Sequence, residues 1–220
     1  MSDLTIGIIA TLAGSIIWQI IGLIFPKIKT PVELLLSLFR YKKQKIFSNF
    51  NDAQKYINKG IQNSKSIKYM SIRGFPLIQE TYALKKALKD YYSPLKVESF
   101  EIMISDPEGY FARLRAKEYS EMGDNITPDR YLEQIKESIK DILELKKNIP
   151  KIIFKLHNTP AIYRICIFDN YCLVGFYTKK YKGSNSPVYL FDKKDLFYEV
   201  FERYFNTIWN ASAEYSKKTV

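Results

Sequence analysis

The N-terminal stretch constrains the fold of this chain most, because residues 4–25 read LTIGIIATLAGSIIWQIIGLIF and carry no formal charge. At about 1.5 Å of rise per residue, a helix of this length covers roughly 33 Å, enough to cross a hydrocarbon core of about 30 Å. We therefore expect a transmembrane helix. The alternatives are a buried helix of a soluble protein and a cleaved signal peptide, but the chain starts with Asp3 and without the basic residues typical of a signal peptide.

The charges after this segment predict its orientation, since basic residues dominate there and the acid among them is Glu33. By the positive-inside rule, everything after residue 26 then lies in the cytoplasm, with the N-terminus outside, in the inner (plasma) membrane of a bacterium. Reduced thiols at Cys166 and Cys172 fit that compartment. The basic residues are Lys27, Lys29, Arg40, Lys42, Lys43 and Lys45.

The polar residues of the expected span form one stripe along a helix, consisting of Gly7, Thr11, Ser15, Gln19 and Gly22. Small residues let helices approach closely in lipid, and hydroxyls and amides can bond between helices. One interpretation is a packing face for self-association. The other is the lining of a narrow pore in an oligomer, which makes the protein an ion channel. Both predict a homo-oligomer, either a dimer or a tetramer.

Three segments divide the chain, with the transmembrane helix over 1–26 and a basic juxtamembrane segment over 27–47. Within the latter, residues 32–39 (VELLLSLF) are apolar and precede the basic run RYKKQK. This is typical of a helix at the membrane interface, with its basic end near acidic head groups, although a plain linker helix is the alternative. The remaining residues, 48–220, are expected to form the cytoplasmic domain.

Hydrophobic periodicity in this domain switches repeatedly between helix and strand. Strands separated by helices and followed by a hairpin predict an α/β sandwich with a mixed sheet. The expected helices span 52–64, 77–88, 109–122, 128–147 and 195–213. The expected strands span 67–72, 97–105, 151–157, 163–168, 171–177 and 188–191.

Composition and absent motifs exclude several function classes. The chain has a formal charge of +11, which suits an anionic ligand or surface, and its one histidine, His157, excludes a site that needs two histidines from one chain. It lacks a Walker-type phosphate loop, GxGxxG, GxSxG and HExxH. A conventional nucleotide hydrolase or metallohydrolase is therefore not expected, and neither is a cofactor or a metal.

The segment over 163–177, YRICIFDNYCLVGFY, resembles the second part of the HxKxxxxD (HKD) motif of the phospholipase D superfamily. Arg164 and Asp169 have the spacing of that family's Lys and Asp, and Gly175 follows at nearly the family distance. Ile162 stands where the family has its His, the nucleophile that forms a phosphohistidine. The resemblance therefore implies that the catalytic element is lost while Arg164 still binds phosphate through its bidentate guanidinium.

The order of several short pieces over 67–213 also resembles a family of degenerate phospholipase D-like domains in bacteria, often found beside helix-turn-helix regulators or in defence-related genes. Here a membrane span replaces the regulator. The resemblance implies a phospholipase D-like sandwich and, because this fold usually joins two halves, a homodimer or higher oligomer. The pieces are SIRG, SDPEGYFARLRAKEY, KLHNTPAIYRICIFDN, SPVYLF and LFYEVFERYFNTIWNASA.

Candidate ligand-binding residues come mainly from the carboxyl ends of the predicted strands, where α/β sheets usually bind ligands. Each has a structural alternative. Arg73 suits a solvated turn, Asp106 suits a helix N-cap, and Arg115 can pair with Glu118 or Glu121. The candidates are Arg73, Asp106, Arg115, His157, Arg164, Ser184 and Ser186.

Arg164 is the sharpest candidate because it lies in an otherwise apolar strand and needs a partner. That partner is either Asp169 or Asp106 in a structural pair, or the phosphate of a ligand. Ser184 and Ser186 follow a glycine in a polar loop and can add hydroxyl contacts, or the loop is an ordinary hairpin connection.

Residual catalysis, if present, would have to use His157 together with Asp169. Cys166 and Cys172 flank the Asp169 turn, where they can face each other across a hairpin. The alternatives for them are buried inert thiols and a redox or metal site.

These observations favour a membrane-anchored sensor-effector. Its cytoplasmic domain would bind a phosphate-bearing ligand, such as a nucleotide or oligonucleotide, and control an oligomeric membrane segment. By analogy this is a pore in bacterial antiphage (antiviral) defence, beside an enzyme that makes the ligand. The main alternative is a membrane-tethered phosphodiesterase or nuclease that uses His157 from two subunits. A passive anchor that recruits a protein partner is the third.

Overall fold

The computed structural model describes residues 45–74, 83–93, 96–123, 126–160, 162–177 and 185–215. They belong to a compact unit, Lys45–Val220. In these ranges, no helix combines the length and the apolar character needed to span a bilayer. The expected span with its polar stripe, and residues 27–44 of the juxtamembrane segment, lie outside the described residues and stay predictions.

One mixed sheet organises the described residues. Its strands are β1 (Lys45–Phe47), β2 (Ser66–Ser71), β3 (Ser99–Ser105), β4 (Ile152–His157), β5 (Tyr163–Phe168), β6 (Tyr171–Phe176) and β7 (Val188–Asp192). Their order across the sheet is β1-β7-β6-β5-β2-β3-β4. The strands β2, β3 and β4 run parallel, and the other neighbouring pairs are antiparallel.

Helices pack on both faces of this sheet. One face, which we call the helical face, carries α1 (Gln54–Asn63), α2 (Ala83–Tyr91), α3 (Tyr110–Glu121) and α4 (Pro128–Asn148). The opposite face, which we call the α5 face, carries α5 (Leu196–Ala211). Each face has its own core. Ile57, Ile102 and Phe168 are buried in the core of the helical face. Met103 and Phe205 are buried in the core of the α5 face.

Local sequence explains why α4 is the longest helix in the described residues. Thr127 precedes it and accepts a hydrogen bond from the backbone N–H of Arg130 at 3.2 Å, and Pro128 occupies the first position. A capping hydroxyl followed by proline is a helix-start signal, because the hydroxyl satisfies one free N–H of the first turn and proline has no N–H to leave unsatisfied. Tyr131 and Ile135 then begin the apolar stripe that turns the helix toward the sheet.

The expected α/β class with a mixed sheet is confirmed. Every expected helix and strand has a counterpart, with ends that differ by a few residues. The helix expected over 77–88 is seen as α2, and residues 75–82 lie outside the described ranges. The strand β1 is an addition: the sequence places Lys45–Phe47 in the juxtamembrane segment, because three residues are too few to show the alternation of a strand.

The two cysteines do not face each other across the β5–β6 hairpin. The register pairs Cys166 with Leu173 and Ile167 with Cys172, so the two thiols lie on opposite faces of the sheet. Both are free and buried. Burial raises the pKa of each thiol, which makes the reactive thiolate scarce.

Candidate functional site

Polar side chains collect at one edge of the sheet, where the parallel strands β2, β3 and β4 end. Ser71, Ser105 and His157 are the last residues of these strands. The antiparallel strand β5 begins at the same edge, which places Arg164 there as well. Although polar or charged, all four residues are buried. This edge is the place where an α/β sheet usually binds its ligand.

Arg164 is held among aromatic rings on the helical face. It shares this face with Cys166 because side chains alternate along β5. Its guanidinium carbon lies 5.6 Å from the ring centroids of both Phe50 and Tyr177. Its Nε donates to the Tyr177 hydroxyl at 3.4 Å. Burial raises the pKa of Tyr69, and the positive charge of Arg164 partly offsets this rise, so the two side chains lie near each other.

Arg115 approaches the same tyrosine from α3. It is buried, and its Nη1 donates to Glu118 Oε2 at 3.0 Å, so the predicted alternative of a pair with Glu118 is confirmed. Its guanidinium carbon lies 5.7 Å from the ring centroid of Tyr177. Arg115 and Arg164 therefore both contact the ring of Tyr177. Two buried guanidinium groups beside one ring favour the binding of an anion there.

Arg73 completes the cluster from the turn after β2. Its guanidinium carbon lies 4.8 Å from the ring centroids of Tyr119 and Tyr131, and its Nη1 donates to Gln134 Oε1 at 2.8 Å. Burial raises the pKa of Tyr131, and the charges of Arg73 and Arg115 both oppose this rise. The two arginines are therefore close enough to act on one phenol.

We call this group of side chains the arginine–tyrosine cluster. Its guanidinium groups come from three separate elements, namely the turn after β2, helix α3 and strand β5. Guanidinium forks match the oxygens of a phosphate, and tyrosine hydroxyls can add further hydrogen bonds. The cluster consists of Arg73, Arg115, Arg164, Tyr119, Tyr131 and Tyr177.

The turn that carries Arg73 depends on Gly74. This glycine has φ of +74°, a left-handed conformation that side chains with a Cβ rarely adopt. Its N–H donates to Ser71 Oγ at 3.0 Å. A Cβ at this position would lie 3.2 Å from Ile104 Cγ2. Only glycine therefore turns the chain here without strain while the arginine is directed toward Tyr119.

His157 lies at the same edge but on the other face. Alternation along β4 puts it with Lys155, whose Nζ donates to the Trp209 carbonyl on α5. His157 Nε2 lies 3.3 Å from the Ser71 carbonyl oxygen, which can only accept, so Nε2 carries the proton. Nδ1 then accepts from the Thr159 hydroxyl at 2.9 Å.

The protonation of His157 follows from its surroundings. Its side chain is 3% exposed, and burial lowers its pKa to about 4, although the Ser71 carbonyl and Asp106 oppose the shift. The imidazole is therefore neutral at physiological pH, and both ring nitrogens are occupied by protein groups. This arrangement stabilises the strand ends and leaves neither nitrogen directed at the arginine–tyrosine cluster.

Asp106 fixes the loop between β3 and α3. Its Oδ1 accepts from the Glu108 N–H at 3.0 Å, and its own N–H donates to the His157 carbonyl at 2.8 Å. Asn158, and not Asp106, bonds to the first turn of α3, because its Oδ1 accepts a hydrogen bond from the Phe111 N–H at 3.2 Å. Gly109 occupies the N-cap position of α3, so Asp106 stabilises the turn before the helix and does not cap it.

Asp169 lies away from the cluster, in the turn between β5 and β6. Its carboxylate accepts backbone N–H groups from Lys65 at 2.7 Å and from Ser66 at 3.0 Å. Five residues of strand separate it from Arg164, which corresponds to roughly 16 Å. Asp169 is therefore too far away to pair with Arg164, and the prediction of that pair is wrong. Its carboxylate instead holds the start of β2.

The remaining predicted positions differ in how much the structure says. Ser186 is buried just before β7, at the same edge as Arg164. Ser184 lies outside the described residues. Ile162, at the position of the motif's histidine, is 44% exposed. Within the described ranges, no group of three or more His, Cys, Asp or Glu side chains is arranged to hold a metal ion.

Sequence reasoning missed the aromatic half of the cluster. Tyr119 and Tyr131 lie on different helices, and their rings meet at a centroid distance of 5.1 Å. Helical spacing indicates that both side chains face inward, but it does not indicate which cation they contact. Tyr177 carried a better signal, because it immediately follows the strand that pairs with the Arg164 strand.

No protein-family model matches the sequence, and no curated protein sequence is significantly similar to it. Among solved structures, the chain is similar to TrmBL2, an archaeal chromatin protein, with 12% identity and a TM-score of 0.45 over 97% of this chain and 66% of that one. It is similar to Nuc from Salmonella typhimurium, a phospholipase D family member, with 16% identity and a TM-score of 0.41 over 80% of this chain and 100% of that one. It is also similar to NucT from Helicobacter pylori, with 12% identity and a TM-score of 0.43 over 79% of this chain and 99% of that one. Likeness at this level assigns no activity.

Proposed function

We propose that this protein is a membrane-anchored sensor-effector whose phospholipase D-like cytoplasmic domain binds a phosphate-bearing ligand without hydrolysing it. The observation that carries the proposal is the convergence of Arg73, Arg115 and Arg164 around tyrosine rings at the carboxyl ends of parallel strands. Three guanidinium groups from separate elements suit more than one phosphate oxygen. A nucleotide or a short oligonucleotide meets this requirement, because its bases can also stack on tyrosines.

The absence of hydrolysis is supported by the groups next to Arg164. A phosphohistidine mechanism needs an imidazole two residues before the cation, and that residue is Ile162. An arginine cannot serve as a general acid at neutral pH. His157 lies on the opposite face, with its Nε2 and Nδ1 engaged by Ser71 and Thr159. These residues support binding more than bond cleavage.

The membrane part of the proposal rests on the sequence. The uncharged run over 4–25 serves as the anchor, and its stripe of Gly7, Thr11, Ser15, Gln19 and Gly22 suits an oligomer with polar side chains at its axis. Ligand binding in the domain would then change how the copies associate in the membrane. Permeabilisation of the membrane in antiphage defence, beside a ligand-synthesising enzyme, is the role that fits this arrangement by analogy.

A membrane-tethered phosphodiesterase or nuclease is the second candidate. It is favoured by the state of His157, because a nucleophilic imidazole must be neutral and the lowered pKa keeps this one neutral. In that case His157 has to leave Ser71 and Thr159, or meet the site of a second subunit, before it reaches a phosphodiester.

The two candidates are separated by measuring binding and hydrolysis with the full chain in detergent. The binding probes are inorganic pyrophosphate, AMP and a single-stranded tetranucleotide, and the readout is Tm. We expect at least one probe to raise Tm and Arg164→Gln to abolish the rise. The matched control is Arg130→Gln, since Arg130 forms an exposed pair with Glu137.

Hydrolysis is followed with bis(p-nitrophenyl) phosphate and with the tetranucleotide. The sensor proposal expects none above the background of a mock purification. Turnover that disappears in His157→Ala, in a protein that still melts cooperatively, would establish the phosphodiesterase instead. An unchanged probe-induced Tm rise in Arg164→Gln would move the ligand away from the arginine–tyrosine cluster.

A further inference from the structure

A buried phenol lies beside the arginine–tyrosine cluster without a hydrogen-bond partner. Tyr69 belongs to β2 and is 0% exposed, and its hydroxyl oxygen makes no hydrogen bond with any described residue. Ser71, two residues further along the strand, does not supply one, because its Oγ accepts from the Gly74 N–H at 3.0 Å. Since a buried hydroxyl without a partner destabilises a fold, the Tyr69 hydroxyl needs an explanation.

The strand register places the Tyr69 side chain next to Arg164. Tyr69 pairs with Cys166 across the antiparallel β2–β5 ladder, and Arg164 precedes Cys166 by two residues on the same face of the sheet. Diagonal neighbours of this kind are within reach of each other when their side chains are long. The positive charge of Arg164 opposes the rise in the pKa of Tyr69 that burial causes, which agrees with this placement.

The hydroxyl of Tyr177 also has a proton to donate. Its oxygen accepts from Arg164 Nε at 3.4 Å and from the Ile72 N–H at 3.5 Å. Neither a guanidinium nor a backbone N–H can accept a hydrogen bond in return. The O–H of Tyr177 is therefore left to donate to a third group, and that group has to be an acceptor.

Anionic oxygen is the acceptor that suits both phenols. Burial raises the pKa of Tyr69, so this phenol keeps its proton and can donate it at physiological pH. The guanidinium of Arg164 beside the two phenols also only donates. A group with several anionic oxygens, such as phosphate, is the ligand that matches a set of donors of this kind.

The burial of these side chains limits how a phosphate can reach them. Tyr69 is fully buried, and Arg115 and Arg164 are 4% and 8% exposed. A phosphodiester carries a substituent on each side, so both arms need a way out of the site, and only its two non-bridging oxygens carry the charge. A phosphate monoester has a single arm and presents three strong acceptor oxygens, so its phosphoryl end can enter first and contact donors from several elements.

We propose that the arginine–tyrosine cluster binds a terminal phosphate, that of a phosphate monoester, and that the hydroxyls of Tyr69 and Tyr177 donate to its oxygens. The proposal rests on the phosphate-binding role in the proposed function and narrows it, because that role alone does not distinguish a monoester from a phosphodiester. Tyr69 is then a further ligand-binding residue, and the ligand supplies the acceptor that the described part of the chain does not.

The test compares AMP with the methyl ester of its phosphate, in which the phosphate is no longer terminal. Isothermal titration of the full chain in detergent measures both Kd values, and a tetranucleotide with and without a 5′-phosphate repeats the comparison. We expect the terminal phosphate to bind roughly tenfold more tightly or better in at least one of the pairs. Equal Kd values in both pairs, or tighter binding of the diesters, would overturn the proposal and leave the phosphate-binding role standing.

Tyr69→Phe tests whether this phenol takes part. The change removes a hydroxyl that has no partner in the described part of the chain, so Tm should stay the same or rise, while the Kd of AMP should rise roughly tenfold and that of the methyl ester should change little. The matched control is Tyr92→Phe, because the Tyr92 hydroxyl is also buried without a described partner and lies outside the cluster. It should leave both Kd values unchanged. An unchanged AMP Kd in Tyr69→Phe, whatever its Tm, would overturn the role of Tyr69.

The remaining outcomes separate this proposal from the proposed function. If neither pair of probes binds but inorganic pyrophosphate raises Tm, the monoester proposal is overturned and the phosphate-binding role stands. If pyrophosphate also has no effect, both are overturned.

Discussion

Arg164 and Tyr177 meet at the carboxyl end of β2 in two ways, since the arginine Nε donates to the phenol oxygen at 3.4 Å and the guanidinium carbon lies 5.6 Å from the ring centroid. The same ring lies 5.7 Å from the Arg115 guanidinium carbon. Tyr177 thus contacts two buried cations and accepts a hydrogen bond from one of them, which makes it the side chain on which the geometry of the cluster depends most.

Removing the phenol oxygen tests this role. In Tyr177→Phe the ring contacts remain, but Arg164 loses an acceptor that directs its fork. A hydrogen bond to a charged group contributes about 1.5–3 kcal/mol, so the Kd of the best phosphate probe should rise roughly tenfold or more. Isothermal titration of the full chain measures this. An unchanged Kd would mean that the ring alone sets the position of Arg164.

Stability should depend on pH through His157. Its pKa is lowered to about 4 in the folded chain, against about 6.5 for an unperturbed histidine, so the unfolded chain binds the extra proton first as pH falls. The native state should therefore lose up to about 3 kcal/mol between pH 6.5 and pH 4 from this group, and this contribution is fully present above pH 6.5.

Urea unfolding at several pH values measures that loss, with His157→Gln as the comparison, because the amide can donate to the Ser71 carbonyl and accept from Thr159. The difference between the two proteins should shrink as pH falls from 7 to 4. A difference that is constant with pH would mean that the imidazole is not the group that titrates.

Asp169→Asn should affect stability and leave ligand binding unchanged. The carboxylate accepts two backbone N–H groups, from Lys65 and Ser66, and an amide can satisfy only one of them through oxygen. We expect a loss of about 1–3 kcal/mol in the free energy of unfolding. Asp141→Asn, at an exposed position of α4, is the matched control. A weaker probe Kd without a stability loss would instead connect Asp169 with the site.

Gly74→Ala should cost more than the same change at Gly123. Both glycines have positive φ, +74° and +78°, so each alanine carries strain of about 1–2 kcal/mol. A Cβ at Gly74 also meets Ile104 Cγ2 at 3.2 Å, whereas at Gly123 it meets nothing within 4 Å. Comparing the two Tm values isolates this packing cost. Equal losses would show that Ile104 moves aside freely.

Apolar periodicity predicted the elements best where an element covers a long, regular stretch. The helix expected over 128–147 is Pro128–Asn148, since Thr127 and Pro128 mark its start and the stripe from Tyr131 marks its inward face. The strand β1 escaped prediction because it exists only through pairing with β7, which is distant in sequence.

The sequence predicts the arginines of the site but not the side chains that contact them. The sequence predicts that Arg164 needs a partner and offers the carboxylates of Asp106 and Asp169. In the structure its side chain faces the helices, where Phe50 and Tyr177 contact it. The cysteine pairing failed for a related reason, because a shift of one residue in the β5–β6 register sends two side chains to opposite faces. Register and face are set by pairing across the sheet, which local patterns do not encode.

The sheet order has a consequence for the biosynthesis of the protein. The interior strand β2 takes β3 as one neighbour and β5 as the other, and its Lys68 is in register with Ile167. During translation, β2 therefore leaves the ribosome long before one of its two edges can be closed. Slow, non-local strand pairing exposes such edges to wrong partners. The nascent chain should therefore depend on chaperones most strongly between the synthesis of β2 and that of β5.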